Sequence, residues 1–179
     1  MNNYLIKKSL TSQGFTIIES LVAITILIVG VLGPMTAATR GITDGYYAGN
    51  QLIATYLAQE ALELAGAQII NDREDSQAFL NGFDSSCLTS SCAVAIIPTN
   101  ISFSFSACTG ANNNCKMTYN TTGGFYDYSS DSGQEFTRTL KITPIQTDKQ
   151  ALLEAKVTWF NKAGTPERNI TLYRYVSNP

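Results

Sequence analysis

Residues 15–38 decide the architecture: Phe15-Thr-Ile-Ile-Glu-Ser-Leu-Val-Ala-Ile-Thr-Ile-Leu-Ile-Val-Gly-Val-Leu-Gly-Pro-Met-Thr-Ala-Ala38. Glu19 is the only charge in this run, and Arg40 is the next. As an α-helix the run would be about 36 Å long at about 1.5 Å per residue, enough to cross the hydrocarbon core of a bilayer. Upstream, residues 1–14 are polar, with Lys7 and Lys8 as their only charges. That bias of basic residues predicts the amino end on the cytoplasmic side and the remainder outside.

Two simpler readings fit poorly. A cleaved signal peptide has a shorter apolar region and a small-x-small site after it, and neither is present here. A plain membrane anchor leaves Glu19 unexplained, because a carboxylate in hydrocarbon costs about 2.5–3.5 kcal/mol on insertion scales. Cleavage between Gly14 and Phe15 would supply a partner. It creates a positive α-amino group at Phe15, near Glu19, and places Glu19 in the first helical turn, where the helix dipole favours an anion. The amine of a neighbouring copy could neutralise Glu19 as two helices slide together, fixing axial register more than adding stability.

The stretch Gly14-Phe15-Thr16-Ile17-Ile18-Glu19-Ser20-Leu21-Val22-Ala23, behind its basic leader, resembles the cleavage and methylation motif of type IV pilins and of their type II secretion relatives, the pseudopilins. The resemblance implies an α+β pilin fold, a long amino-terminal helix packed on an antiparallel β-sheet head. It implies cleavage after Gly14 by a prepilin peptidase and N-methylation of Phe15. It also implies assembly of the processed chain, through a pilus assembly platform, into a homo- or hetero-oligomeric helical filament. Before assembly the subunit would be a single-pass protein of the cytoplasmic membrane, and afterwards part of an extracellular pilus. The partners so implied are other pilin subunits, the peptidase, the platform and the membrane. Nucleic acid stays open as a partner but is not indicated, and no cofactor or metal is expected.

Beyond Ala38 the helix is expected to continue. Ile53, Leu57, Ala61 and Leu64 recur at helical spacing, and the pattern fades in the charged cluster Asn71-Asp72-Arg73-Glu74-Asp75, predicting one helix from about Thr16 to Ile70. The organisation is a leader (1–14), a membrane and filament-core helix (15–38), an amphipathic continuation (39–72) and an exported head (73–179). Gly30, Gly33 and Pro34 interrupt the apolar part. Pro34 lacks a backbone donor and crowds the Gly30 carbonyl, so a kink is expected there, with local melting on assembly as the functional form of that kink. Pilin relatives resemble this, with a helix-breaking proline in the same stretch. Gly33, Ala37, Gly41, Gly45 and Gly49 form either a small-residue ridge for close helix approach or a partly unwound linker.

The head reads as sheet. Val94–Ile97 and Ile101–Phe105 look like strands, and Asn112-Asn113-Asn114 and Gly123-Gly124 like loops or turns. Phe125, Tyr126 and Tyr128 are read either as packing under a long loop or as a contact patch. Three further strands follow: Phe136–Ile142, Leu153–Phe160 and Asn169–Val176, the last two joined by a turn over 161–166. Their alternation builds an antiparallel meander with one apolar face, for which Leu52–Ile70 of the helix is the cover. The segment Lys156-Val-Thr-Trp159 resembles the carboxyl sheet of minor pilins and minor pseudopilins, which points to a minor subunit.

Four cysteines, Cys87, Cys92, Cys108 and Cys115, lie in the exported half, where disulfides are the default. Sequential pairing, Cys87–Cys92 with Cys108–Cys115, is the expectation, and nested pairing remains open. The spacings suit zinc poorly. The chain has no histidine, and the sequence shows no nucleophile–base pair, phosphate loop or dinucleotide fingerprint, so an enzyme is the least expected class and no catalytic residue is assigned. With 12 basic against 14 acidic residues, composition also argues against a phosphate-neutralising nucleic-acid binder. The expectation is a structural subunit of a type IV pilus serving adhesion, twitching motility or DNA uptake. The alternatives are a pseudopilin of a secretion or competence machine and an exported adhesin-like binding module. Mass spectrometry of the protein from its membrane should find 165 residues (179 less 14) beginning with N-methylated Phe15; an intact Met1 or a cut after Ala38 would overturn the reading.

Overall fold

The computed structural model describes residues 14, 16–97, 102–108, 115–128, 134–160 and 166–178. The chain divides into two compact units, Met1–Asp44 and Gly45–Pro179. Helix α1, Ile17–Glu74, runs through the boundary between them for 58 residues. In the first unit α1 is apolar and every described residue from 16 to 44 is exposed. It is the one helix among the described residues long and apolar enough to cross a membrane. Its threonines do not spoil it, because their hydroxyls donate back to its own carbonyls. Thr25 reaches Val22 O at 2.8 Å, Thr36 reaches Gly33 O at 2.8 Å and Thr43 reaches Thr39 O at 3.0 Å.

The second unit is a helix-covered sheet. After α1 come α2 (Ser85–Thr89), β1 (Cys92–Ile97), β2 (Ser102–Ala107), β3 (Lys116–Asn120), β4 (Phe125–Asp127), β5 (Phe136–Gln146), β6 (Gln150–Trp159) and β7 (Arg168–Ser177). All strand pairs are antiparallel. β5, β6 and β7 form a meander in which Phe136 faces Trp159, Leu140 faces Ala155, Ala155 in turn faces Leu172, and Ile142 faces Leu153. Those residues share the face that α1 covers. On the helix, Ala54, Leu57, Ala58, Ala61, Leu64, Ala65 and Ile69 recur every three or four positions and are buried in the same core. Four of them are alanines with no exposed area, which lets the helix backbone lie close to the sheet. The opposite face is polar, with Thr137 opposite Thr158 and Lys141 opposite Glu154.

The expected fold class is therefore present, and the departures have local causes. The helix ends at Glu74 rather than Ile70, because Asp72 does not face solvent as a helix-ending charge would. It is 6% exposed, accepts Gly82 N–H at 3.0 Å and the Gln68 side-chain amide at 2.7 Å, and so ties the following loop to the last turn. β5 runs past Ile142 to Gln146 because β6 keeps pairing with it through Thr143 and Pro144, with a register shift before Gln146. β6 ends at Trp159, one residue short of the expected Phe160. α2, β3 and β4 are unexpected. All are of five residues or fewer, too short for periodicity to register. β3 and β4 are joined by a turn at Gly123-Gly124 as expected; Asn120 Oδ1 accepts the Thr122 and Gly123 N–H groups, and Gly124 takes a positive φ of 75°. Ile101, Asn112–Asn114 and residues 161–165 of the expected turn lie outside the described residues.

Two glycines give opposite expectations. A Cβ on Gly82 would overlap the Gln68 amide and the Asp72 carboxylate, whereas one on Gly66 would meet only the mobile end of Arg174. Gly82→Ala should cost about 1–3 kcal/mol by disturbing a buried carboxylate's hydrogen bonds. Gly66→Ala, inside α1, should be neutral or raise stability by up to about 1 kcal/mol. Thermal unfolding of the two variants beside the parent checks the sign of each.

Candidate functional site

Two places concentrate the functional residues, and they lie in different units. The first is the start of α1. Gly14 is described and exposed; Phe15 lies outside the described residues. Thr16 caps the helix, its hydroxyl accepting the Glu19 N–H at 3.3 Å while its carbonyl accepts Ser20 N–H at 3.1 Å. Glu19 thus occupies the third helical position after a threonine cap, where glutamate is favoured. The sequence carries that spacing in Thr16-Ile-Ile-Glu19, so Glu19 has a local helix-starting role. α1 stays helical through Gly30, Gly33 and Pro34, so the partly unwound linker is not what the backbone adopts over 33–49. Added Cβ atoms at Gly30, Gly33, Gly41, Gly45 and Gly49 would meet nothing within 4 Å.

The second place is a fork in the sheet. One edge of β5 pairs continuously with β6. Its other edge is shared: β1 holds it only at Leu140 through Cys92, and β3 holds Phe136 and Thr137 through Met117 and Lys116. Arg138 sits between the two grips. It lies on the helix-facing side with Phe136 and Leu140, and is 1% exposed. Its five N–H groups are all engaged. Nη1 donates to Leu57 O (3.3 Å) and Glu60 Oε2 (2.9 Å), Nη2 to Val94 O (2.7 Å) and Tyr128 Oη (3.3 Å), and Nε to Tyr128 Oη (3.4 Å). Tyr128 also donates to Val94 O at 2.7 Å, with its ring 5.7 Å from the guanidinium carbon. One side chain therefore joins α1, β1 and β5 to the segment after β4. The alternation of β5 places Arg138 among the apolar positions, and that parity is the signal sequence reasoning passes over.

The fork leaves a cavity of about 440 Å³. Leu57 and Glu60 of α1 form one wall, Ala95 and Ile96 of β1 another, and Met117 with Phe125–Tyr128 the third, while Arg138 forms the floor. The hairpin wall is an aromatic run. Tyr126 packs edge-on to Tyr119 at 5.3 Å and to Phe136 at 5.4 Å, and Phe125 remains 52% exposed. Burial, and secondarily the neighbouring Tyr119, raise the Tyr126 hydroxyl above the ordinary phenol pKa. Of the aromatic residues expected either as packing or as a contact patch, Tyr126 and Tyr128 pack into the head, and Phe125 is half-exposed.

Both disulfides are sequential, as expected. Cys87–Cys92 ties α2 to β1, and Cys108–Cys115 joins the end of β2 to the start of β3. The Cys115 carbonyl accepts the Arg138 N–H at 2.9 Å, so the second bridge also anchors the fork. Among the described residues no group of three His, Cys, Asp or Glu side chains is arranged to hold a metal. Comparison with family models, with curated proteins and with solved structures finds no match for the chain.

Removing the guanidinium takes the charged donors from Leu57 O and Glu60, while Val94 O keeps the Tyr128 hydroxyl. Arg138→Met is expected to lose about 1.5–3 kcal/mol, the scale of hydrogen bonds to a charged group. Glu60→Gln should lose less, because Glu60 is 42% exposed and its replacement still accepts a hydrogen bond. Urea midpoints should rank parent, Glu60→Gln, then Arg138→Met; an unchanged midpoint for Arg138→Met would deny the network its holding role.

Proposed function

We propose that this chain is a type IV pilin-like structural subunit, of the minor kind, that enters the membrane as a prepilin and assembles into an extracellular filament. One observation carries the reading. The motif Gly14-Phe15-Thr16-Ile17-Ile18-Glu19 opens directly into an unbroken helix, apolar and exposed at its start and covering a disulfide-containing antiparallel sheet at its end. Exposed apolar helix on this scale needs an apolar medium, which a bilayer supplies before assembly and neighbouring helices supply afterwards.

In this reading the chemistry belongs to the processing enzyme and the work of the subunit is packing. Cleavage after Gly14 frees the Phe15 amine. Glu19, one turn along, offers that amine of a neighbouring subunit a counter-charge in a dry environment. Hydroxyls satisfied within α1 and its long apolar run keep the helix compatible with hydrocarbon on either side of the transition. The disulfide-braced head stays folded outside.

The test separates charge from helix starting. Glu19→Ala and Glu19→Gln should both insert into the membrane at parental levels yet be recovered in sheared filaments at about a tenth of the parent or less, since losing an intermolecular pair of this kind is worth on the order of 1.4 kcal/mol per tenfold. Normal incorporation of Glu19→Gln would remove the charge from the mechanism.

A further inference from the structure

The fork of the sheet leaves a cleft beside Arg138. At about 440 Å³ it lies within the range of small-molecule sites and is walled mainly by apolar and aromatic side chains. Two features of its chemistry select among ligands. Arg138, the only cation among the described lining residues, has every side-chain N–H committed to Leu57, Glu60, Val94 and Tyr128, and therefore has no donor to offer an anion. Two carboxylates line it, Glu60 on α1, which pairs with Arg138 at 2.9 Å, and Asp127 on β4, which accepts the Asn120 side-chain amide at 2.8 Å and remains an anion, so the described lining residues carry one net negative charge. Of its aromatic residues, Tyr128 already carries the Arg138 guanidinium 5.7 Å from its ring and Tyr126 packs edge-on to Tyr119 and Phe136, so Phe125 is the ring whose face is offered to a cation. Phe125 is half-exposed at the tip of its hairpin and presents apolar surface to water when the cleft is empty.

We propose that this cleft is a binding site for a small organic cation, an ammonium group carried on an apolar body. The body lies against Phe125 and Tyr126, and the ammonium faces the Asp127 side of the cleft, away from the Arg138 guanidinium. A neutral ligand of the same shape gains the apolar contact alone, and an anionic one meets the carboxylates with no free donor to compensate. None of its lining residues belongs to the amino-terminal motif.

The full chain in a non-ionic detergent tests this by calorimetric titration against a micelle blank, with 2-phenylethylammonium, 2-phenylethanol and phenylacetate as matched probes. The expected order of affinity is ammonium, then alcohol, with phenylacetate not binding. Phe125→Ala should weaken the ammonium by about fivefold, the scale of a partly exposed cation–π contact, and should also weaken the alcohol. Asp127→Asn should weaken the ammonium by about fivefold while leaving the alcohol unchanged, which distinguishes a lost charge from a distorted cleft. Glu60 is not the residue to change, because it compensates buried Arg138. Equal affinity for all three probes, no binding of the ammonium, or ammonium affinity unmoved by both variants would each overturn the proposal.

Discussion

The closeness of α1 to the β5–β6 pair governs the head. Alanines at 54, 58, 61 and 65 have no exposed area, and nothing larger would let the helix backbone come near enough for the Leu57 carbonyl to accept from Arg138. That hydrogen bond is the point where helix and sheet stop being two layers in apolar contact and become fixed in register. Because Arg138 also takes Val94 O, the same contact determines how far β1 splays from β5. A larger residue at Ala58 or Ala61 would strain this arrangement by about 1–3 kcal/mol, as overpacked cores do.

Much of this was legible in the sequence because it rests on periodicity. The alternation of Leu153, Ala155, Val157 and Trp159 fixes which face of β6 is buried, and the spacing of Ile53, Leu57, Ala61 and Leu64 marks the covering side of the helix. What escaped depends on pairings that no local pattern announces. Arg138 keeps the apolar parity of its strand, yet its role is set by Leu57, Glu60, Val94 and Tyr128, as many as 81 residues away. Asp72 looks like a helix-ending charge until Gly82 is brought against it. β3 and β4 are too short and too polar to stand out, and they exist because Met117 and Lys116 find the free edge of β5. The cleft was legible only as three nearby aromatics, since its other walls come from α1 and β1.

The two parts of α1 solve different problems with one backbone. In Gly45–Glu74 an apolar stripe meets the sheet, and charges such as Glu60 and Arg73 are drawn into contacts with it. In the segment before Asp44 nearly every side chain is apolar or carries a hydroxyl returned to its own backbone, so the helix presents few unmet polar groups on any side. Pro34 is the exception, leaving the Gly30 carbonyl without its usual donor. Gly30 has no side chain to shield that carbonyl, which leaves it open to water or to a partner.

The bridge between Cys108 and Cys115 fixes the two ends of the segment 109–114 at the junction of β2 and β3. The length and composition of that segment are thereby uncoupled from strand pairing on either side. A change between the two cysteines is therefore expected to leave the register of β2 and β3 as it is, provided the bridge forms. The bridge behaves as a mounting point that clamps the end of β2 to the start of β3.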